Sequence, residues 1–207
     1  TRAMMGFLLF NPAPRSVLMI GLGGGALHKY IHKHLPETDL TTVEINPGVI
    51  ELRQDFCIPP DDERSRIVCA DGAAFLAKPT HQFDVILVDG FTGEGIPDAL
   101  CSPGFYRRVK AALAHQGVMV ANVQADTAQT LEIHKRVGRV FEGAMLSFES
   151  DEGGNDIVLA GQGEAFTQAA QEFETRWQAL PEVHQTTLAA TSTRLQRALV
   201  KGLRPLT

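Results

Sequence analysis

Five short apolar runs recur in the first two thirds of the chain, and each is hydrophobic at consecutive rather than alternate positions. β-Branched residues are frequent in these runs. Continuous apolar runs of this length predict parallel strands that are buried on both faces of a sheet. The five predicted strands lie at residues 17–20, 41–45, 66–69, 85–88 and 118–122.

Segments with a helical pattern separate the predicted strands. They cover residues 26–34, 48–56, 72–77 and 103–114. Strands that alternate with helices indicate βαβ units, and therefore a parallel sheet with helices on both faces. Ahead of the first strand, the apolar stretch 4–10 predicts a few turns of helix at most, closed by Pro12 and Pro14.

The pattern changes after residue 126. A helix predicted over 128–140 is followed by two strands, 144–148 and 156–160, which the turn-rich segment 150–155 joins as an antiparallel hairpin. A mostly parallel sheet that ends in an antiparallel hairpin distinguishes the Rossmann-like class I methyltransferase fold from a dehydrogenase domain with six parallel strands. We therefore predict that α/β fold, with helices on both faces of the sheet.

The C-terminal part is rich in helical pattern, over 166–180 and 186–201, and carries no recognisable chemistry. We predict a catalytic domain at residues 1–163 that binds an adenosyl cofactor. Residues 164–207 are predicted to form a helical extension packed on the same domain.

Composition and charge restrict the partners and the cellular location that the sequence predicts. The net charge is −5 and no block of Lys or Arg is present, which disfavours a nucleic-acid partner. No apolar run approaches the ~20 residues of a membrane span. Three widely spaced cysteines form no CxxC pair, which favours a reducing, cytoplasmic location. We expect a small-molecule amine substrate and no membrane partner, and a homodimer is one option for the oligomeric state.

A glycine-rich turn follows the first predicted strand and opens a helix. Gly21, Gly23 and Gly25 fit a tight turn whose backbone approaches a ligand, with the helix N-terminus presenting free N–H groups. A turn of this kind also occurs in dehydrogenases and as plain turn chemistry. These glycines are predicted to bind the cofactor.

Two acidic positions at the next strand ends support an adenosyl ligand. Glu44 ends the second strand about 20 residues beyond the glycines, where a carboxylate accepts ribose hydroxyls, and Ile45 is assigned to the same site. Asp71 follows the third strand; it can accept from an adenine amino group or cap the next helix. Gly72 and Ala73 leave room for the ring.

A fourth strand ends at Asp89 and leads into a glycine-containing loop that could form a lid. Its carboxylate could orient an amine and take its proton, or it could cap the backbone of that loop. On the first helix, His28, His32 and His34 are predicted to form a partly exposed face without a metal, since a metal site needs further ligands.

The segment from about residue 4 to residue 122 resembles the catalytic domain of the spermidine synthase (polyamine aminopropyltransferase) family. The resemblance rests on the glycine loop, Val43-Glu44-Ile45, Asp71-Gly72-Ala73 and Asp89. It also rests on an apolar helix and a proline-containing link at 4–14, a Phe-Tyr helix at 105–110 and a Gly-Val-x-Val strand at 117–120.

The resemblance implies a donor site and a reaction. Glu44 would hold the ribose, Asp71 the adenine, and Asp89 would activate the attacking amine. The aminopropyl group of decarboxylated S-adenosylmethionine would move to putrescine or a similar amine, with release of methylthioadenosine and no metal.

The chain departs from the family pattern at three places. Gly24 stands where the family has an aspartate that holds the donor's amine, and Thr92 replaces a second aspartate of the lid. Arg2-Ala3 stands where the family has His-Glu. In the family, a β-domain precedes that position. Loss of the acid at Gly24 would admit the carboxylate of S-adenosylmethionine. A methyltransferase and a non-catalytic adenosyl-binding module are therefore alternatives.

Overall fold

Seven strands form the centre of the computed structural model, which describes residues 2–77, 81–91, 95–161, 164, 168–169 and 171–202. The strands are β1 (Ser16–Ile20), β2 (Asp39–Glu44), β3 (Ser65–Cys69), β4 (Phe83–Val88), β5 (Leu113–Gln124), β6 (Met145–Glu149) and β7 (Asn155–Gly161). Their order in the sheet is β3-β2-β1-β4-β5-β7-β6. Strands β1 to β5 are parallel, and β7 is antiparallel to both β5 and β6. The predicted α/β fold is confirmed.

The described helices surround this sheet. A 3₁₀ helix (Arg2–Leu9) precedes β1, and the α-helices follow in chain order. They are α1 (Ala26–His34), α2 (Pro47–Glu51), α3 (Gly72–Phe75), α4 (Asp98–Cys101), α5 (Pro103–Ala112), α6 (Ala128–Val140), α7 (Phe173–Ala179) and α8 (Glu182–Gly202). None of these described helices is long and apolar enough to cross a membrane.

Helix α2 is shorter than the sequence predicts. The helical pattern extends to residue 56, but the helix ends at Glu51 and the chain continues in turns. Cys57 adopts a left-handed conformation with a φ of 52°, and Ile58 N donates to Arg53 O at 2.8 Å. Pro59 and Pro60 follow. Because proline disfavours helical conformation in the residue before it, a helix cannot run on into this segment.

Two hydrophobic clusters fill the two faces of the sheet. The first combines the 3₁₀ helix, α1 and the C-terminal helices with one face of the strands, and the buried Leu188, Leu195 and Leu199 of α8 belong to it. The second joins α5 and α6 to the other face. Both clusters lie along the strands, so the carboxyl ends of the parallel strands remain free to form a site. The division of the chain at residue 163 stays a prediction.

Candidate functional site

The glycine loop brings the ends of β1 and β4 together. Gly21 has a φ of 95°, and a Cβ on it would lie 2.3 Å from Asp89 O. Its N–H donates to Val43 O at 2.8 Å. Only glycine allows both this conformation and this close approach. The loop therefore sets the position of Asp89 relative to the first strand.

The rest of the loop opens α1. Gly23 and Gly25 have φ values of 51° and 69°, and a Cβ on Gly25 would lie 2.4 Å from the Ile58 side chain. Gly25 is the residue before α1 and supplies no side-chain cap. The first N–H groups of the helix are therefore available to a ligand, together with the partial positive charge of its N-terminus.

Glu44 supports the loop from β2. This side chain is 8% exposed. Its Oε2 accepts from Leu22 N at 2.8 Å and its Oε1 from Asn46 N at 2.9 Å. Since each carboxylate oxygen can accept more than one hydrogen bond, the carboxylate is fixed in place and can still accept from a ligand. Ile45 beside it is 64% exposed.

Asp71 caps α3, which is one of the two roles that the sequence predicts for this residue. Its Oδ1 accepts from Ala74 N at 2.7 Å. A Cβ on Gly72 would lie 2.5 Å from Ile20 Cγ2, so α3 packs closely on the end of β1. Ala73 is also buried. The cap occupies one carboxylate oxygen and leaves Oδ2 for a ligand.

Asp89 is joined to a residue that the sequence did not single out. Asn122 Nδ2 donates to Asp89 Oδ1 at 2.9 Å. The Asn122 side chain is 8% exposed, and within the described part of the chain its Oδ1 has no hydrogen-bond partner. Since a buried acceptor is costly to leave unpaired, this oxygen is suited to a donor group on a substrate. Its position at the end of β5, next to β4, could have identified it.

The loop after Asp89 is described only in part. A Cβ on Gly90 would lie 2.5 Å from Leu100 Cδ1, and Phe91 is 40% exposed. Gly95 has a φ of 111°. Thr92 and the lid glycine Gly93 lie outside the described residues.

The histidine face of α1 differs from the prediction at one of its three residues. His28 is not partly exposed but buried, because it faces β2 and β3 rather than solvent. Its Nδ1 lies 2.8 Å from Thr42 Oγ1 and its Nε2 3.2 Å from Ser65 Oγ. Burial is the main reason that the pKa of His28 is lowered from 6.5 to about 4. His32 Nε2 instead lies 2.8 Å from Asp62 Oδ2. Among the described residues, no cluster of three or more His, Cys, Asp or Glu side chains could hold a metal ion.

Known proteins share this sequence pattern. A family model described as spermine/spermidine synthase domain matches residues 2–148. The polyamine aminopropyltransferase of Neisseria meningitidis serogroup B is 39% identical over 178 residues, which are 85% of this chain and 68% of that relative. The eEF1A lysine and N-terminal methyltransferase of Mus musculus is 30% identical over 132 residues, which are 56% of this chain and 19% of that relative.

Solved structures share the fold. Human methyltransferase-like protein 13 in complex with SAH has a TM-score of 0.67 and 24% identity over 99% of this chain and 90% of that one. A spermidine synthase in complex with the transition state analogue AdoDATO has a TM-score of 0.67 and 24% identity, over 90% of this chain and 75% of that one. At this identity the likeness concerns the fold alone.

Proposed function

The chain belongs to the spermine/spermidine synthase family, and from that premise we propose that it moves the aminopropyl group of decarboxylated S-adenosylmethionine to a polyamine such as putrescine. The resemblance inferred from the sequence motifs is thus confirmed. The observation that supports the activity best is the Asp89–Asn122 pair, which stands at the strand ends next to the proposed donor site.

The donor site combines three strand ends. We assign the ribose hydroxyls to the Glu44 carboxylate and the adenine amino group to Asp71 Oδ2. Ile45 would cover the adenosyl group with an apolar side chain, and the small Gly72 and Ala73 leave space for the ring. The fit is supported by the Glu44 carboxylate, which is fixed and can still accept further hydrogen bonds, and by a glycine loop in which the Leu22 side chain is buried.

The acceptor amine would approach Asp89. Its nitrogen attacks the carbon beside the sulfonium, a C–N bond forms, and the C–S bond breaks with its electron pair on sulfur, which leaves methylthioadenosine. An amine with a pKa of ~10.4 is protonated at neutral pH and must lose a proton to attack. Asp89 Oδ2 would take the proton of the attacking nitrogen, while Asn122 holds Oδ1 and offers its own Oδ1 to a second N–H. Alignment of the two reactants supplies the remaining catalysis.

A small amine as the substrate and the cytoplasm as the location are parts of this proposal. The location is supported by Cys57, Cys69 and Cys101, all of which are free thiols, since a reducing compartment keeps thiols unpaired.

The Asp89→Asn variant tests the mechanism. Asparagine keeps the shape of the side chain but cannot take the proton, so we expect turnover to fall by about 10²–10⁴-fold. Methylthioadenosine release from the decarboxylated donor and putrescine measures turnover, and calorimetric titration with methylthioadenosine measures donor-site binding, which should stay within about twofold. Glu182→Gln, an exposed carboxylate on α8, is the matched control. Turnover of Asp89→Asn within a factor of two of the unsubstituted protein would exclude the proposed role.

Methyl transfer from S-adenosylmethionine is the second candidate function. Gly24 carries no acid that would repel the carboxylate of this donor, and the murine methyltransferase relative shares 30% identity. Parallel titration with both donors separates the candidates. Tighter binding of the decarboxylated donor supports aminopropyl transfer, whereas tighter binding of S-adenosylmethionine with methyl transfer to an acceptor supports the second candidate. Binding without any turnover would indicate a non-catalytic adenosyl-binding module.

A further inference from the structure

A basic groove lies between helices α5 and α6, and it shares no residue with the proposed donor and acceptor sites. The two helices carry six of the chain's 19 Lys and Arg residues and a single acid, Glu132. The whole chain has a net charge of −5, so this concentration of cations is local. The sequence shows no block of Lys or Arg because the cations belong to two helices that only the fold brings together.

Helical spacing directs four of these cations into the groove. They are Arg107 and Lys110 of α5 and Arg136 and Arg139 of α6. On each helix the two cations are three residues apart and therefore share one face. Like charges at this spacing repel each other and destabilise a helix. A bound anion would relieve this repulsion on both helices at once.

Two of the four cations have no partner of their own. Lys110 Nζ lies 2.7 Å from Glu142 Oε1, and Arg136 Nη1 donates to the last backbone carbonyl of α4 at 2.9 Å. As far as the structure describes the chain, the side chains of Arg107 and Arg139 form no ion pair and donate no hydrogen bond. Each helix thus presents one unpaired guanidinium group to the groove.

The groove has room for an organic ligand rather than a simple ion. Its volume is about 660 Å³, which lies in the range of ~300–1,000 Å³ that is typical of small-molecule sites. Pro103, Ala111 and Val140 also line it and give it an apolar surface beside the cations. A ligand that fills the groove would combine several negative charges with an apolar body.

We propose that this groove binds an organic polyphosphate, with phosphate groups on Arg107 and Arg139 and the apolar part of the ligand on Pro103, Ala111 and Val140. A guanidinium group donates two parallel N–H bonds to phosphate oxygens, which makes arginine the preferred partner of such groups. A chain of linked phosphates can reach the unpaired arginine of each helix, whereas a single phosphate or carboxylate is shorter. The groove is separate from the donor site, so this inference does not rest on the proposed function.

Calorimetric titration of the full chain with ATP and with inorganic triphosphate tests the proposal. Saturating methylthioadenosine is present throughout to keep ATP out of the donor site. We expect ATP to bind more tightly than triphosphate, because only ATP can cover the apolar surface, and added salt should weaken both.

Two double variants with the same change in net charge identify the site. Arg107→Gln/Arg139→Gln should weaken ATP binding by about ten- to a hundredfold in Kd, since two charge-assisted contacts are lost. Arg15→Gln/Arg197→Gln, at two exposed positions outside the groove, is the control and should stay within about twofold. Loss of ATP binding confined to the groove variant supports the proposal, whether or not the protein releases methylthioadenosine.

Four other outcomes would overturn the proposal. An equal loss in both double variants would show attraction to overall charge only, and unchanged binding in the groove variant would place ATP elsewhere. No binding at millimolar ATP would show that the groove takes no such ligand. A single-stranded oligonucleotide that binds more tightly than ATP, and loses its binding in the groove variant, would instead assign the groove to nucleic acid.

Discussion

His28 is buried between α1 and the strands β2 and β3, where two hydroxyl groups hold its ring nitrogens. Its pKa is lowered from 6.5 to about 4, first by burial and then by the charge of His32. The folded protein therefore binds this proton less tightly than the unfolded chain does. His28 stabilises the fold fully above pH 6.5, and this contribution is lost as the pH falls toward 4.

The expected loss is on the order of 3 kcal/mol in the free energy of unfolding between these two pH values. Urea unfolding at several pH values from 7.5 to 4 measures it. In His28→Gln, which keeps hydrogen-bonding groups but does not titrate, the dependence should be weaker by that amount. His115→Gln, at an exposed position, is the control and should keep the original dependence. Identical pH dependence in His28→Gln and the unsubstituted protein would contradict the prediction.

At the scale of single residues, the sequence predicts where a residue lies on its helix or strand better than it predicts which residues surround it. Helical spacing correctly places His28 and His32 on neighbouring turns, but spacing does not tell which strand covers which turn. His28 is buried as a result, and His32 meets an aspartate of the β2–β3 connection. Asn122 was not predicted as a site residue for a related reason. Its place in the site comes from its hydrogen bond to Asp89, and that bond depends on β5 lying next to β4.

The turn between β1 and α1 is the element on which the site depends most. Gly21→Ala would place a Cβ 2.3 Å from Asp89 O in a left-handed backbone. Left-handed strain and overpacking together should cost about 2–5 kcal/mol of unfolding free energy. Gly24→Ala is the matched control in the same turn, because its backbone is not left-handed and its Cβ fits; it should change stability by at most about 1 kcal/mol. Urea unfolding measures the free energy of unfolding of both variants. An equal loss of unfolding free energy in the two variants would contradict this account of the loop.

Among the elements, prediction succeeded where a pattern was long and bounded by strong signals. Helices α1 and α6 have the predicted bounds, and every predicted strand is present. The end of α2 was placed too late, because the apolar spacing continues past Glu51 while the left-handed Cys57 and the two prolines end the helix. Helix α4 was not predicted: like α3 it has only four residues, too few to show a period, and it lacks a side-chain cap of the kind that Asp71 gives α3.

At the scale of the whole molecule, the N-terminal 3₁₀ helix packs with the C-terminal helices α7 and α8 over one face of the sheet. Arg176 Nη1 donates to Leu9 O at 3.0 Å. A Cβ on Gly6 would lie 3.3 Å from Leu195 Cδ2, so the 3₁₀ helix and α8 pack closely. We propose that the C-terminal helices α7 and α8 belong to the same cooperative unit as the sheet. Sequence periodicity predicted helices there, but it could not show which surface they cover.

The single tryptophan, Trp177, reports directly on this proposal because it packs against the first hydrophobic cluster from α7. If the chain unfolds as one unit, Trp177 fluorescence and far-UV circular dichroism should give the same midpoint in urea. Leu195→Ala, which removes a fully buried side chain, should lower the unfolding free energy by about 2–5 kcal/mol and shift both midpoints together. Val200→Ala, on the same helix at a position 55% exposed, should change it by less than about 0.5 kcal/mol. A fluorescence transition that precedes the loss of circular dichroism would instead show that the C-terminal helices unfold separately from the sheet.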